Sequence, residues 1–324
     1  MLPRPRSGLV VYCVRLFAVG WSLRPALGCT LFIGLSLSAC SDKAAETQQG
    51  PATTVPHGLL DLAANTSKTM PRKSAVAALA ELTQRRGLEY HSLQHDGADA
   101  VALIEIDLAR FAPEVMAESR GLSPATAISK PNLSVIVGSS FVSQVRRMQP
   151  IGVLQIDGRL LQDVEPHGYT RILGILELNP KSSLEKGGQA SNSPNATARR
   201  FEVAHRSQWP LEGLHSALQA GPGIIEKGLL DISESDLTRQ KYFRSFVAEC
   251  GERAVVGATL VPMHLYTLGG QLLKFFAANQ LSCPEVVNLA GDREAVLVVR
   301  HGQEAAYLGD PQSPKVGLIG FTEL

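Results

Sequence analysis

No HExxH, paired CxxC, Walker loop, EF-hand loop or GxGxxG occurs in the 324 residues. Those absences exclude the usual signatures of zinc proteases, thiol redox centres, nucleotide enzymes and calcium sensors. Eight histidines are scattered without ligand spacing, so neither a dedicated metal site nor a cofactor is expected. Gly138-Ser139-Ser140 follows a predicted strand but lacks the second glycine of a GxSxG nucleophile elbow. It reads as a polar strand-to-loop turn. There is no internal repeat, and the composition fits neither a disordered nor a fibrous chain.

Acidic residues are absent from the first forty positions, which carry Arg4, Arg6, Arg15 and Arg24. Ala26 to Ala39 is apolar but about fourteen residues long, short of the ~20 that span a bilayer. A basic flank, a short apolar core and small residues before a cut site describe a secretory signal over 1–39. Leu37-Ser38-Ala39-Cys40 resembles the bacterial lipobox, which implies lipidation of Cys40 and a membrane-anchored protein on the periplasmic side of a cell envelope. Without the four arginines the chain is slightly acidic, which argues against nucleic acid as a partner. Cysteine is scarce past the anchor: only Cys250 and Cys283 remain. They are a candidate disulfide in an oxidising compartment, or else two independent buried thiols.

Residues 40–73 are rich in small and polar types and read as a flexible tether. Ser74 to Arg86 has helical spacing of Val76, Leu79 and Leu82, with Gly87 as a stop. Strands then follow at Val101–Leu108, Leu133–Val137, Ile151–Ile156 and Arg171–Leu178, and Asp157-Gly158 marks a hairpin. Residues 180–199 form a polar insertion. Leu211 to Ala217 reads as helical, and Thr267 is a candidate cap for a helix over Leu268–Asn279. Further strands are expected at Ala254–Leu260, Glu285–Leu289, Ala295–Arg300 and Lys315–Phe321. The pattern predicts one α+β domain over 74–324, a mixed, largely antiparallel sheet with a few packed helices.

Six motifs stand in a fixed order: Gly87-Leu88-Glu89-Tyr90 before VALIEIDL, then VIVGSSF, PIGVLQIDGRLL, LQAGPGII, RAVVGA and CPEVVNLAGD. In that order they resemble the phosphodiester glycosidase family over about 87–321. The resemblance implies that family's fold and hydrolysis of a glycosyl-1-phosphodiester, in an envelope glycan or a nucleotide sugar. It places Arg253 as the phosphate-binding group and Gln219, Gly221, Asn288 and Gly291 along the substrate. Physically, an arginine fork suits an oxyanion, and glycines let backbone amides approach it. The family's acidic residue in the last motif, which would supply acid/base chemistry, is replaced here by Ala290. An extended chain through Gly291 would put Asp292 on the same side as position 290, making it a substitute catalyst; a turn would not. Two functions therefore stand open: a hydrolase using Arg253 and Asp292, or an inactive relative that binds a phosphorylated envelope glycan or a protein partner. Arg253 could equally form a surface ion pair with Glu249 or Glu252, and Gln219 and Asn288 could serve buried backbone groups.

Overall fold

The alternation along Val101–Leu108 shows how the centre of the domain is built. In β2 (Ala98–Asp107), Ala102, Ile104 and Ile106 enter one core, while Val101 and Leu103 enter a second. A strand buried on both faces sits in the middle of a layered structure. The computed structural model describes residues 72–143, 148–177, 199–210, 213–235 and 240–324, which form one α+β domain. The signal segment, Cys40, almost all of the tether and positions 180–198 of the insertion lie outside the described residues. Arg199 belongs not to that insertion but to β8 (Arg199–His205).

Three sheets make up the domain, and every ladder among the described residues is antiparallel. The largest has seven strands: β1 (Glu89–His95), β2, β13 (Arg253–Thr259), β12 (Ser245–Cys250), β14 (Glu285–Asn288), β10 (Gly223–Glu226) and β11 (Leu229–Leu230). The second runs β16 (Glu304–Leu308), β15 (Leu297–His301), β4 (Leu133–Ser139), β17 (Leu318–Glu323) and β3 (Phe111–Met116). The third runs β6 (Arg159–Gln162), β5 (Leu154–Ile156), β9 (Leu214–Ala220), β7 (Arg171–Glu177) and β8. One core lies between all three and includes Ile104, Val137, Leu173, Phe201, Val247, Val256 and Phe321. Helix α1 (Arg72–Arg85) adds Leu79 and Leu82 to it and stops before Gly87, whose φ of 74° suits glycine. A single short turn, α2 (Pro124–Ala127), caps the outer face of the second sheet.

Helix α3 (Leu265–Ala278) covers the other face of the seven-stranded sheet with Leu265, Leu268, Leu272, Phe275 and Phe276. It starts before the expected cap Thr267, with His264 in the cap position and no side-chain cap bond. Burial of Leu265 at 3 % exposure explains the earlier start: packing outweighs cap chemistry. Of the helix expected over Leu211–Ala217, positions 211 and 212 lie outside the described residues and the part from Leu214 onward is instead strand β9, set between β5 and β7 and buried along most of its length. A short apolar run has no periodicity that separates a buried strand from a buried helix. Asp157 (φ 50°) and Gly158 (φ 73°) form the predicted β5–β6 hairpin turn, both left-handed as the tight turn requires. Cys250 and Cys283 are joined in a disulfide that ties the end of β12 to the entrance of β14, where Glu249 and Glu285 stand opposite.

Candidate functional site

Motifs far apart in the chain meet where β9 and β14 end and β12 begins. Strand β9 delivers Gln219, which is fully buried. Its Oε1 accepts the N–H groups of Val153 (3.0 Å) and Glu165 (2.8 Å). Its Nε2 donates to the carbonyls of Glu165 (2.9 Å) and Tyr169 (2.8 Å). A side-chain amide has two donors and two lone pairs, so Gln219 is saturated by backbone and has nothing left for a ligand. The fit requires Gly152: a Cβ there would stand 2.1 Å from Gln219 Oε1, and φ is 87°.

Gly221 is held just as closely. Its N–H donates to Asn288 O (2.9 Å), its carbonyl accepts from Asn288 Nδ2 (3.2 Å), and Asn288 N–H donates to Pro222 O (3.1 Å). A Cβ at Gly221 would lie 2.9 Å from Thr170 N, so loop 164–170 presses directly on this turn. Gln219, Gly221 and Asn288 are thus brought together, as a clamp between three loops.

The last motif turns away after Asn288. Leu289 N–H donates to Ser245 O (2.9 Å) and Ser245 Oγ to Ala290 O (3.1 Å), which leaves Ala290 only 2 % exposed. Gly138 packs on Leu289 and Ser245, closing the GSSF turn against the same loop. Gly291 then precedes a 3-10 turn over Asp292–Glu294. Asp292 has a left-handed φ of 52°, is exposed, and accepts the N–H of Phe243 through Oδ1 (3.2 Å). The extended path that would have set Asp292 beside position 290 is therefore absent. Strain is relieved by two bonds to Phe243, since Asp292 N–H also donates to Phe243 O (2.9 Å).

Arg253 is not part of this cluster. It begins β13 opposite Cys250, whereas Asn288 stands opposite Phe246. Four residues along β12 separate those positions by about 13 Å. Its side chain is 53 % exposed and ion-paired with Glu105, a neighbour across the sheet rather than Glu249 or Glu252. The hydrogen bond to Glu105 raises the Arg253 pKa above its ordinary value.

Beside the clamp lie two further features, of which only Phe141, the last residue of VIVGSSF, belongs to a motif. Arg244, next to Gly291, lies 4.8 Å above the Tyr242 ring, and among the described residues its guanidinium makes only a long bond from Nη2 to Gln240 O (3.4 Å). Its Nε is buried with no partner among the described residues, and desolvation lowers its pKa, partly offset by Asp292 and Tyr242. On the Gly221 side, Phe141 and Tyr169 stack with centroids 4.2 Å apart. Burial raises the Tyr169 pKa, with Glu165 adding to it. Arg244 immediately precedes β12, which was not foreseen as a strand, so its neighbourhood could not be read from the chain. A cavity of about 280 Å³ lies elsewhere, between β1 and α3, lined by Leu93, Gln94, Gln271, Lys274 and Phe275 among others. It gathers no set of titratable groups. One group among the described residues can hold a metal ion, Glu89, His91 and Glu105, although the histidine spacing gave no expectation of one.

No family model matches the chain, and no curated protein matches it. Solved structures similar to it include a hypothetical protein from Synechocystis (11 % identity, TM-score 0.48, 73 % of this chain). The chain spans 62 % of that protein's length. Another is the catalytic domain of zebrafish N-acetylglucosamine-1-phosphodiester alpha-N-acetylglucosaminidase, auto-inhibited by its pro-peptide (12 %, 0.48, 73 % of this chain and 82 % of that one). A protein from Burkholderia pseudomallei, described as a putative exported protein, is similar at 12 % identity and TM-score 0.42, over 78 % of this chain and 81 % of its own. The likeness is one of fold.

Proposed function

We propose that this chain is an envelope lipoprotein whose domain binds a phosphorylated glycan or glycosyl phosphodiester without hydrolysing it. The observation that carries the reading is the state of the clamp. The acidic residue expected there is the buried Ala290, Asp292 is turned out to Phe243, and Gln219 is saturated by backbone. Hydrolysis needs a positioned acid or base, and none of these groups supplies one. Binding needs less: a cation for the phosphate and a flat apolar surface for the sugar. Arg244, with unspent donors beside Gly291, suits the first, and the Phe141–Tyr169 pair beside Gly221 suits the second. The lipidated Cys40 places the domain outside the cytoplasm in this reading, and the Cys250–Cys283 disulfide fits an oxidising compartment. No helix among the described residues is long and apolar enough to cross a membrane.

The test is calorimetric titration of the purified chain with UDP-N-acetylglucosamine and a panel of sugar-1-phosphodiesters, with free sugar followed in parallel. Saturable binding without sugar release is expected, weakened about tenfold or more in Arg244→Ala and Tyr169→Ala and unchanged in Arg253→Ala. A tenfold loss corresponds to about 1.4 kcal/mol, the scale of one charge-assisted hydrogen bond. Sugar release that disappears in Arg253→Ala would reinstate the hydrolase. Absence of binding to every member of the panel would remove the ligand.

A further inference from the structure

At the far end of the seven-stranded sheet from the Asn288 clamp, the edge strand β1 assembles a second polar group. Glu89 stands directly opposite Glu105 on β2, and His91 lies two residues along β1 on the same face. Like charges opposite each other in a ladder repel. Glu105 is 7 % exposed, so its charge needs a partner all the more. Arg253 provides one through Glu105 Oε1. It also stands opposite Asp107, so Asp107 and Glu89 act on the same guanidinium through their charge alone, while Glu105 pairs with it directly.

Glu105 Oε2 faces the other way, toward His91 Nε2 at 3.6 Å, and Glu89 Oε2 approaches the same nitrogen at 3.8 Å. His91 Nε2 is buried and has no hydrogen-bond partner among the described residues. An edge contact with Phe275 of α3, centroids 5.0 Å apart, holds the ring in this orientation. The three ligand atoms all lie within 4.8 Å of one another.

We propose that Glu89, His91 and Glu105 form a binding site for a divalent transition-metal ion of the zinc type, bridging β1 and β2. Ligands about 2.1 Å from a tetrahedral zinc stand about 3.4 Å apart, close to the spacings at His91. A divalent ion would neutralise the carboxylate excess and give the buried imidazole nitrogen its missing partner. One nitrogen with two oxygens leaves a coordination position for water on the exposed Glu89 side. The imidazole favours zinc, cobalt or nickel over calcium and magnesium. Arg253 stays on Oε1 in this arrangement, as a neighbour of the ion that repels it.

Zinc titrated calorimetrically into the purified full chain tests the proposal, with cobalt as a spectroscopic probe. One saturable site is expected, weakened at least tenfold in both His91→Ala and Glu89→Gln. Arg253→Ala should tighten it several-fold, because a competing cation is removed; adventitious surface binding has no reason to respond this way. Cobalt should bind without a thiolate charge-transfer band, because the three ligands are one imidazole and two carboxylates. Should His91→Ala fail to fold, the exposed position Glu89→Gln decides. Absence of saturable zinc binding, binding undiminished in Glu89→Gln, or calcium bound as tightly as zinc would each overturn the site.

Discussion

At the scale of single residues, the domain spends its most specific side chains on its own backbone. Gln219 and Asn288 are polar groups at strand ends, and both are nearly or fully buried. Burying an amide costs free energy unless its hydrogen bonds are replaced, and Gln219 replaces all four. Gln219→Ala would strand two N–H groups and two carbonyls at the junction of three loops. Urea unfolding should show a loss of about 3 kcal/mol, and a loss below about 1 kcal/mol would mean water replaces the amide freely. Gln219→Glu should fare no better, because a carboxylate cannot donate to the carbonyls of Glu165 and Tyr169. Residue identity made Gln219, Gly221 and Asn288 visible in the sequence as a motif. The partners of Gln219, which are Val153, Glu165 and Tyr169, lie 50 to 66 positions away and could not be read from it.

At the scale of elements, the strands with clean alternation or a marked turn were legible: β2, β4, the β5–β6 hairpin, β7 and β13. Strand β12 was not, because Ser245–Cys250 is short and buried on both sides over its first four residues. It is nonetheless the element that links the sheets. Glu249 near its end accepts the N–H of Val203 in β8 at 3.0 Å. Burial raises the Glu249 pKa above its ordinary value, more than the Val203 bond and Arg200 lower it, and Glu202 adds to the rise. A carboxyl with a raised folded-state pKa contributes stability below its unfolded pKa and loses it as pH rises through the folded value. At pH 7 the buried charge is therefore a net cost. Glu249→Gln keeps an acceptor for Val203 and removes the charge, so its thermal midpoint should exceed wild type at pH 7. The advantage should fade as pH falls through the folded value and vanish well below the ordinary glutamate value, where the carboxyl is protonated in both states. An advantage that persisted unchanged at pH 4 would show that the charge is not its source.

For the whole molecule, the proposal of a lipid-anchored binding protein rests on two separable parts. The anchor is tested without reference to the ligand: Cys40→Ser should abolish metabolic labelling with palmitate and move the protein from the membrane fraction to the soluble one. Labelling that survives in the mutant would sink the lipobox. By itself, the sequence determined the α+β class, most strand positions, the apolar stripe of α3 and the order of the motifs, because these depend on local periodicity and turn chemistry. Only the tertiary structure decided which residues the motifs meet. It turned the chain at Gly291, so Asp292 met Phe243, and it put Arg253 four residues down the sheet against Glu105. It also set Glu89, His91 and Glu105 side by side across a strand pair. Register and cross-sheet contacts join residues far apart in the chain, and no local pattern encodes which side chains will share a face.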